Sequence, residues 1–182
     1  MTVLEAIKNR FSVRKYSSKP VDEKDLNAIL EAARCSQSAK NIQDWRFIIV
    51  RDEALRSKLA DAAKGQRFVG EAPVVIVCCG INPDYIMSCG QYSYTLDVAI
   101  AMENMALVAY ERGLGTCWLG SFYENQVKNV LSIPEDDVRV VGMLTLGYPT
   151  LESTLRGKIK KSPLSPIKKR HSLETIVKYE KW

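Results

Sequence analysis

The chain opens with an apolar pattern of helical period. Val3, Leu4 and Ile7 recur along one helix face, and Thr2 stands where a cap belongs. The period then changes. In "RFSVRKY" Phe11 and Val13 alternate with Arg10, Ser12 and Arg14, the rhythm of extended backbone, so three polar groups share one side. A second helix is predicted over "DEKDLNAILEAARC". Asp22 opens it, acidic residues fill its first turn, and Leu26, Ile29, Leu30 and Ala33 form its apolar stripe. A polar loop, "SQSAKNIQD", leads to "WRFIIV", a strand by length and branching. Asp52 caps a further helix through about Lys64, "PVVIVCCGI" reads as a strand buried on both faces, and "NPDYIMSCGQYS" reads as a loop.

The next helix, "YTLDVAIAMENMALVAYERG", is apolar nearly all round, interrupted by Asp97 and Glu103. Such a helix is central or is covered by a second subunit. Gly113 is expected to stop it. "GTCWLG" predicts a short strand. "SFYENQVKNVLS" predicts a helix with Ser121 and Glu124 at capping-box spacing. "VRVVGMLTLG" is the last strong strand, and Pro149 ends it. "SLETIVKY" predicts a terminal helix capped by Ser172. Strands and helices alternate, but the crossovers are uneven and one long helix dominates the middle. That pattern favours a three-layer α+β domain over a regular doubly wound fold. Residues 1–182 are expected to form one domain. The tail, 150–182, has too little apolar surface to stand alone and is predicted to wrap around a partner subunit.

Composition narrows the picture. Of 182 residues, 46% are hydrophobic and 26% charged, which suits a soluble domain needing no metal or disulfide staple. No signal-peptide pattern opens the chain, and no apolar run approaches the roughly 20 residues of a membrane helix. A cytoplasmic protein is expected. The five cysteines form no C-x-x-C pair and are expected to be reduced, with Cys78 and Cys79 as core residues. His171 is the only histidine, so acid–base chemistry that depends on histidine is disfavoured. The net charge of +5 is concentrated in "RGKIKKSPLSPIKKR", residues 156–170, which holds seven basic and no acidic residues. Elsewhere 19 basic residues face 21 acidic ones. The basic run could be a solvated face, a nucleic-acid contact or a local anion site. There is no Walker A sequence. The glycines of "GLGTCWLG" miss the G-x-G-x-x-G spacing and follow a helix, so a Rossmann site is disfavoured.

Four separated segments remain: "RFSVR", "SAKNIQDW", "GLGTCWLGSF" and "KKRHSLETIV", with "DVAIAMEN" between the second and third. In these and in their order the chain closely resembles the nitroreductase-like flavoproteins, the small FMN-dependent oxidoreductases, over nearly its whole length. The resemblance implies a nitroreductase-like fold with a mostly antiparallel sheet, FMN as cofactor and a homodimer. It assigns the phosphate to Arg10, Lys168 and Arg170, the phosphate or polyol to Ser12, and the ring's pyrimidine edge to Arg14. Ser38, Ala39 and Asn41 would touch the partner's flavin. Leu119 and Gly120 would lie along the ring, the Gly120 amide facing the nitrogen that accepts hydride. Residues 82–94, with Tyr85, Tyr92 and Tyr94, fall where the family places a variable substrate loop. Gln37 and Asp44 stand where the family usually has proline, and Lys40 where smaller residues are common.

Physical chemistry agrees with these roles. A phosphate dianion asks for guanidinium groups that bind two oxygens at once, and a cation beside the ring stabilises the anionic reduced flavin. Plainer readings exist: surface charge for Arg10 and Arg14, turn chemistry for Asn41 and Gln43, core packing for Trp118 and Leu119. The resemblance implies electron transfer from NAD(P)H to an electron-poor acceptor, such as a nitroaromatic or quinone, by a ping-pong exchange. The flavin would perform the chemistry, with no metal and no catalytic side chain. A flavin-binding carrier with little turnover is the alternative. Neither nucleic acid nor membrane is an expected partner.

Overall fold

The computed structural model describes residues 1–155 and 170–182. Helix α1 (Val3–Asn9) starts from Thr2, whose hydroxyl accepts the Glu5 N–H while the Glu5 carboxylate accepts the Thr2 N–H. Two orphan donors are thereby satisfied reciprocally. Helix α2 (Glu23–Arg34) is capped by Asp22 and buries Leu26, Ile29 and Ala33, as its stripe predicts. Then follow β1 (Trp45–Val50), α3 (Glu53–Ala62, capped by Asp52), α4 (Phe68–Glu71) and β2 (Val74–Ile81). The long α5 (Ser93–Glu111), β3 (Gly115–Leu119), α6 (Glu124–Leu131), β4 (Val138–Gly147), a helical stretch at 151–155 and a single turn, α7 (Leu173–Ile176), follow.

The sheet runs β1-β2-β4-β3, antiparallel at every pairing. Strand β2 is central, and its neighbours in sequence point to opposite layers. Ile76 and Cys78 pack with α2 and α5, against Leu26, Ile29, Val98 and Met102. Val75, Val77 and Cys79 pack with α3, α4 and α6, against Leu59, Val69 and Val127. A strand buried on both faces reads as a continuous apolar run. Three layers result, as the alternation of elements predicts. Each fully buried large side chain, such as Ile76, Met102 or Leu144, contributes about 1.5–3 kcal/mol. Burial pushes the Cys78 thiol well above its usual range and the Cys79 thiol to about 11, so both stay protonated core residues.

Helix α5 ends at Gly113 as expected. Gly113 adopts φ +74°, its N–H donates to the Tyr110 carbonyl, and the Leu114 N–H donates to Ala109. This pair of bonds is the left-handed helix stop that glycine permits.

Two helix termini differ from expectation. The Ser121–Glu124 capping box does not form: α6 begins at Glu124, after Tyr123, with no side-chain cap. The Glu124 carboxylate instead takes the Arg139 guanidinium in two bonds of 2.9 Å and the Val140 N–H at 2.8 Å. A bidentate charged pair outbids a neutral cap. Burial alone would push the Glu124 carboxyl up, but Arg139 and the Val140 N–H outweigh it and hold the group below its usual range. The terminal helix is also shorter than predicted, four residues, and the Ser172 hydroxyl pairs with Thr175 Oγ1 rather than capping a backbone N–H.

Apolar residues remain on the surface in a defined place. Val3, Leu4 and Ile7 of α1 and Leu96 and Ile100 of α5 are all exposed. So is every residue from Arg170 to Trp182, Leu173, Ile176 and Tyr179 included. Among the described residues no helix is long and apolar enough to cross a membrane.

Candidate functional site

After α1 the chain is extended and lies against the sheet edge. The Val13 N–H donates to the Thr116 carbonyl (2.9 Å), and Ser12 bridges Thr116 in parallel. Val13, only 1% exposed, fills the space above Gly115, where a Cβ would sit 2.3 Å from Val13 Cγ2. Glycine at 115 is thus what lets the segment dock. Three residues on, the Tyr16 phenol donates to the Val13 carbonyl (2.8 Å) and shares a bond with Thr145 Oγ1 (2.7 Å). Burial, more than any neighbouring group, drives that phenol far above its usual range, so it remains a donor. With Val13 turned inward, Ser12 and Arg14 are exposed on the opposite side.

The two arginines are both held in place. Arg10 Nε donates to Glu103 Oε1 of α5 at 2.8 Å. Both partners are about one-third to one-half exposed, so the pair orients the guanidinium more than it stabilises the fold. The Arg14 guanidinium lies 5.7 Å from the centroid of the Phe68 ring on α4. Gln66, just before that helix, donates from Nε2 to the Ser121 carbonyl (3.2 Å). The 66–68 turn therefore ties Arg14 to the segment that follows β3.

Leu119 ends β3, and Gly120 opens that segment. The Leu119 side chain is core, packed with Val127 and Met143, so only its backbone can face a ligand. Trp118 points the other way, half exposed, with its indole N–H on Met102 Sδ at 3.0 Å. A Cβ added at Gly120 would meet nothing nearer than Trp118 Cζ3 at 3.6 Å. Packing within the chain does not require glycine here.

The loop between α2 and β1 is built under strain. Lys40, Asn41 and Gln43 all have left-handed φ, at 51°, 56° and 60°. Each such residue costs about 1 kcal/mol or more unless its surroundings fix it. The fixings are visible. Ser38 Oγ accepts the Gln43 N–H (3.0 Å), and the Ala39 N–H donates to both oxygens of Asp97 (3.1 and 3.2 Å). Gln43 Nε2 donates to Asn41 Oδ1 (3.3 Å), the turn chemistry expected of that pair. Burial raises the Asp97 carboxyl, the Ala39 N–H opposes this, and the nearby Asp44 adds to the rise. Asp44, at a position where proline was expected, is buried and accepts from Asn82 Nδ2 (3.0 Å). The carboxylate does what a proline ring cannot: it ties this loop to residues 82–92.

The structure thus places Arg10, Ser12 and Arg14 on one docked segment, joined through β3 and the 66–68 turn to Leu119 and Gly120. Ser38, Ala39 and Asn41 lie on a separate loop, held by the first half of α5. Lys168 lies outside the described residues. Arg170 is described, exposed, with the rest of the terminal segment. Asp97, Glu103 and Phe68 are positioning residues the motifs did not single out. A signal for two of them was present, since Asp97 and Glu103 are the polar interruptions of an otherwise apolar helix. A cavity of about 480 Å³ opens beside Arg10, between α1, the end of α5 and β3, lined by Phe11, Tyr110, Gly115 and Thr116 among others. Neither Ser12, Arg14 nor Gly120 lines it. Among the described residues no cluster of His, Cys, Asp or Glu could hold a metal ion.

An antiparallel four-stranded sheet between two helical layers, with a cationic segment docked along one edge, defines a protein of the nitroreductase class. The chain belongs to the nitroreductase family: residues 2–181 match the family model described as "Putative TM nitroreductase". It is 38% identical over 154 residues to a Methanothermobacter thermautotrophicus protein named "Putative NADH dehydrogenase/NAD(P)H nitroreductase", covering 82% of this chain and 78% of that one. The crystal structure of a nitroreductase family protein from Clostridium novyi NT superposes with a TM-score of 0.78 at 35% identity, over 84% of this chain and 87% of that one. A more distant relative, 24% identical over 174 residues, is the Bacillus subtilis protein named "FMN reductase [NAD(P)H]", with 86% of this chain and 70% of that one covered.

Proposed function

We propose that this protein is a homodimeric, FMN-dependent oxidoreductase that moves electrons from NAD(P)H to an electron-poor acceptor such as a nitroaromatic or a quinone. The observation that carries the reading is the docked 10–14 segment. It turns Val13 into the sheet and presents two oriented guanidinium groups and a hydroxyl outward. Those groups fit a phosphorylated ligand with a flat, polar-edged ring. The names of the relatives, nitroreductases and an FMN reductase among them, support the same reading.

Bound FMN supplies the hydride-accepting and electron-donating chemistry. The chain's residues bind and tune it. Arg10, steadied by Glu103, together with Lys168 and Arg170, takes the phosphate, and Ser12 takes a phosphate or polyol oxygen. Arg14, resting on Phe68, offers fixed positive charge to the pyrimidine edge, where negative charge develops on reduction. The Gly120 backbone lies close to the ring. Ser38, Ala39 and Asn41 cross to the partner's site. The exposed apolar faces of α1 and α5 and the fully exposed terminal segment are surfaces a partner would cover.

Freshly purified protein is expected to be yellow. Arg10→Ala and Arg170→Ala should each lose flavin while keeping the fold by circular dichroism, and full occupancy in both variants would refute the assignment. Donor and acceptor should occupy the site in turn, giving parallel double-reciprocal lines. Intersecting lines would exclude the exchange scheme.

A further inference from the structure

Lys40 and Tyr85 come from different loops and meet near the start of α5. Lys40 Nζ lies 5.5 Å from the centroid of the Tyr85 ring. Both loops are anchored to the same helical turn. The Ala39 N–H, next to Lys40, binds Asp97, while the Tyr85 carbonyl accepts the Ser93 N–H at 3.2 Å. Their other ends are joined as well: Asn82 donates to the Asp44 carboxylate, and the Ile81 N–H donates to the Asp44 carbonyl (3.1 Å). The left-handed backbone at Lys40 cannot relax without disturbing these bonds. The Lys40 backbone is therefore held in place, while its side chain is exposed.

A ring face holds an exposed ammonium less tightly than a carboxylate or phosphate does, because it offers a quadrupole rather than a full charge. An anion brought alongside would redirect Nζ. We infer that Lys40, seated on Tyr85, is a specificity-determining residue that reads an anionic group on one of the two substrates exchanged at the partner's flavin. The inference rests on the flavin reading above, in which residues 38–41 reach that flavin and residues 82–94 border the substrate. The anion has two possible carriers: a carboxylate on the acceptor or the 2′-phosphate of the donor.

The holoenzyme tests this directly. Wild type, Lys40→Met and Lys40→Arg are assayed with 4-nitrobenzoate against 4-nitrobenzamide, and with NADPH against NADH. In one of these pairs the ratio of kcat/KM for the charged over the less charged member should fall about three- to tenfold in Lys40→Met and be largely kept in Lys40→Arg. The wild-type ratio should decline with added salt, and the Lys40→Met ratio should not. A fall in the acceptor pair assigns the carboxylate, and a fall in the donor pair assigns the 2′-phosphate. Unchanged ratios in both pairs, or a wild-type ratio insensitive to salt, overturn the inference. A wild-type protein that retains no flavin defeats the reading of the site instead, and absorbance separates the two failures before any rate is measured.

Discussion

In the proposed reading the segments 10–16 and 170–182 contribute to the same phosphate site, yet the chain treats them in opposite ways. The first is fastened by a backbone bond to Thr116, by Val13 over Gly115, by Tyr16 on Thr145 and by Glu103 on Arg10. The second is exposed at every residue, with Leu173, Ile176, Tyr179 and Trp182 all turned to solvent. A single chain can therefore fix the 10–16 segment by itself. The 170–182 segment carries apolar side chains that only a further surface could bury.

Removal of residues 170–182 should have the largest effect. The truncated protein is expected to sediment as a monomer and to lose FMN by about a hundredfold or more in affinity, since a charged contact and the surface that orders it disappear together. A truncated protein that stays dimeric and yellow would break the contrast. Gly115→Ala attacks the fastened side. A Cβ 2.3 Å from Val13 should cost about 1–3 kcal/mol by overpacking and weaken flavin binding without dissociating the dimer. Unchanged stability and flavin retention would show that docking of this segment is not required.

Glu124→Gln serves as a control that touches neither segment. The carboxylate is held below its usual range, so its contribution is fully present above the unfolded value and lost as pH falls through the folded one. The variant should lose about 1–2 kcal/mol at pH 7, and the deficit should close as the pH drops below the ordinary carboxylate range. A deficit that grows on acidification would contradict the Arg139 and Val140 bonds as its source.

Much of this molecule could be read from local pattern. The bounds of "WRFIIV" match β1, the two-faced burial of β2 follows from its unbroken apolar run, and Gly113 stops α5 where predicted. Local pattern failed where a distant partner decides. Glu124 stands three residues after Ser121, but its strongest partners, Arg139 and Val140, arrive from a strand formed later in the chain. The four residues of α4 are too few to show a period. In the site, the alternation of Arg10, Ser12 and Arg14 was legible because extended backbone has a period of two. What orients them was not, since Glu103 is 93 residues from Arg10 in sequence and Phe68 belongs to that short helix.

Asp97 and Glu103 are six positions apart on α5, about 9 Å along its axis. Asp97 holds the 38–41 loop, and Glu103 holds Arg10. In the proposed symmetric dimer each α5 would touch its own site and its partner's. Titration of the colourless protein with FMN tests whether this helix couples two sites: a departure from a single hyperbola would show it, and a single hyperbola would show independent sites.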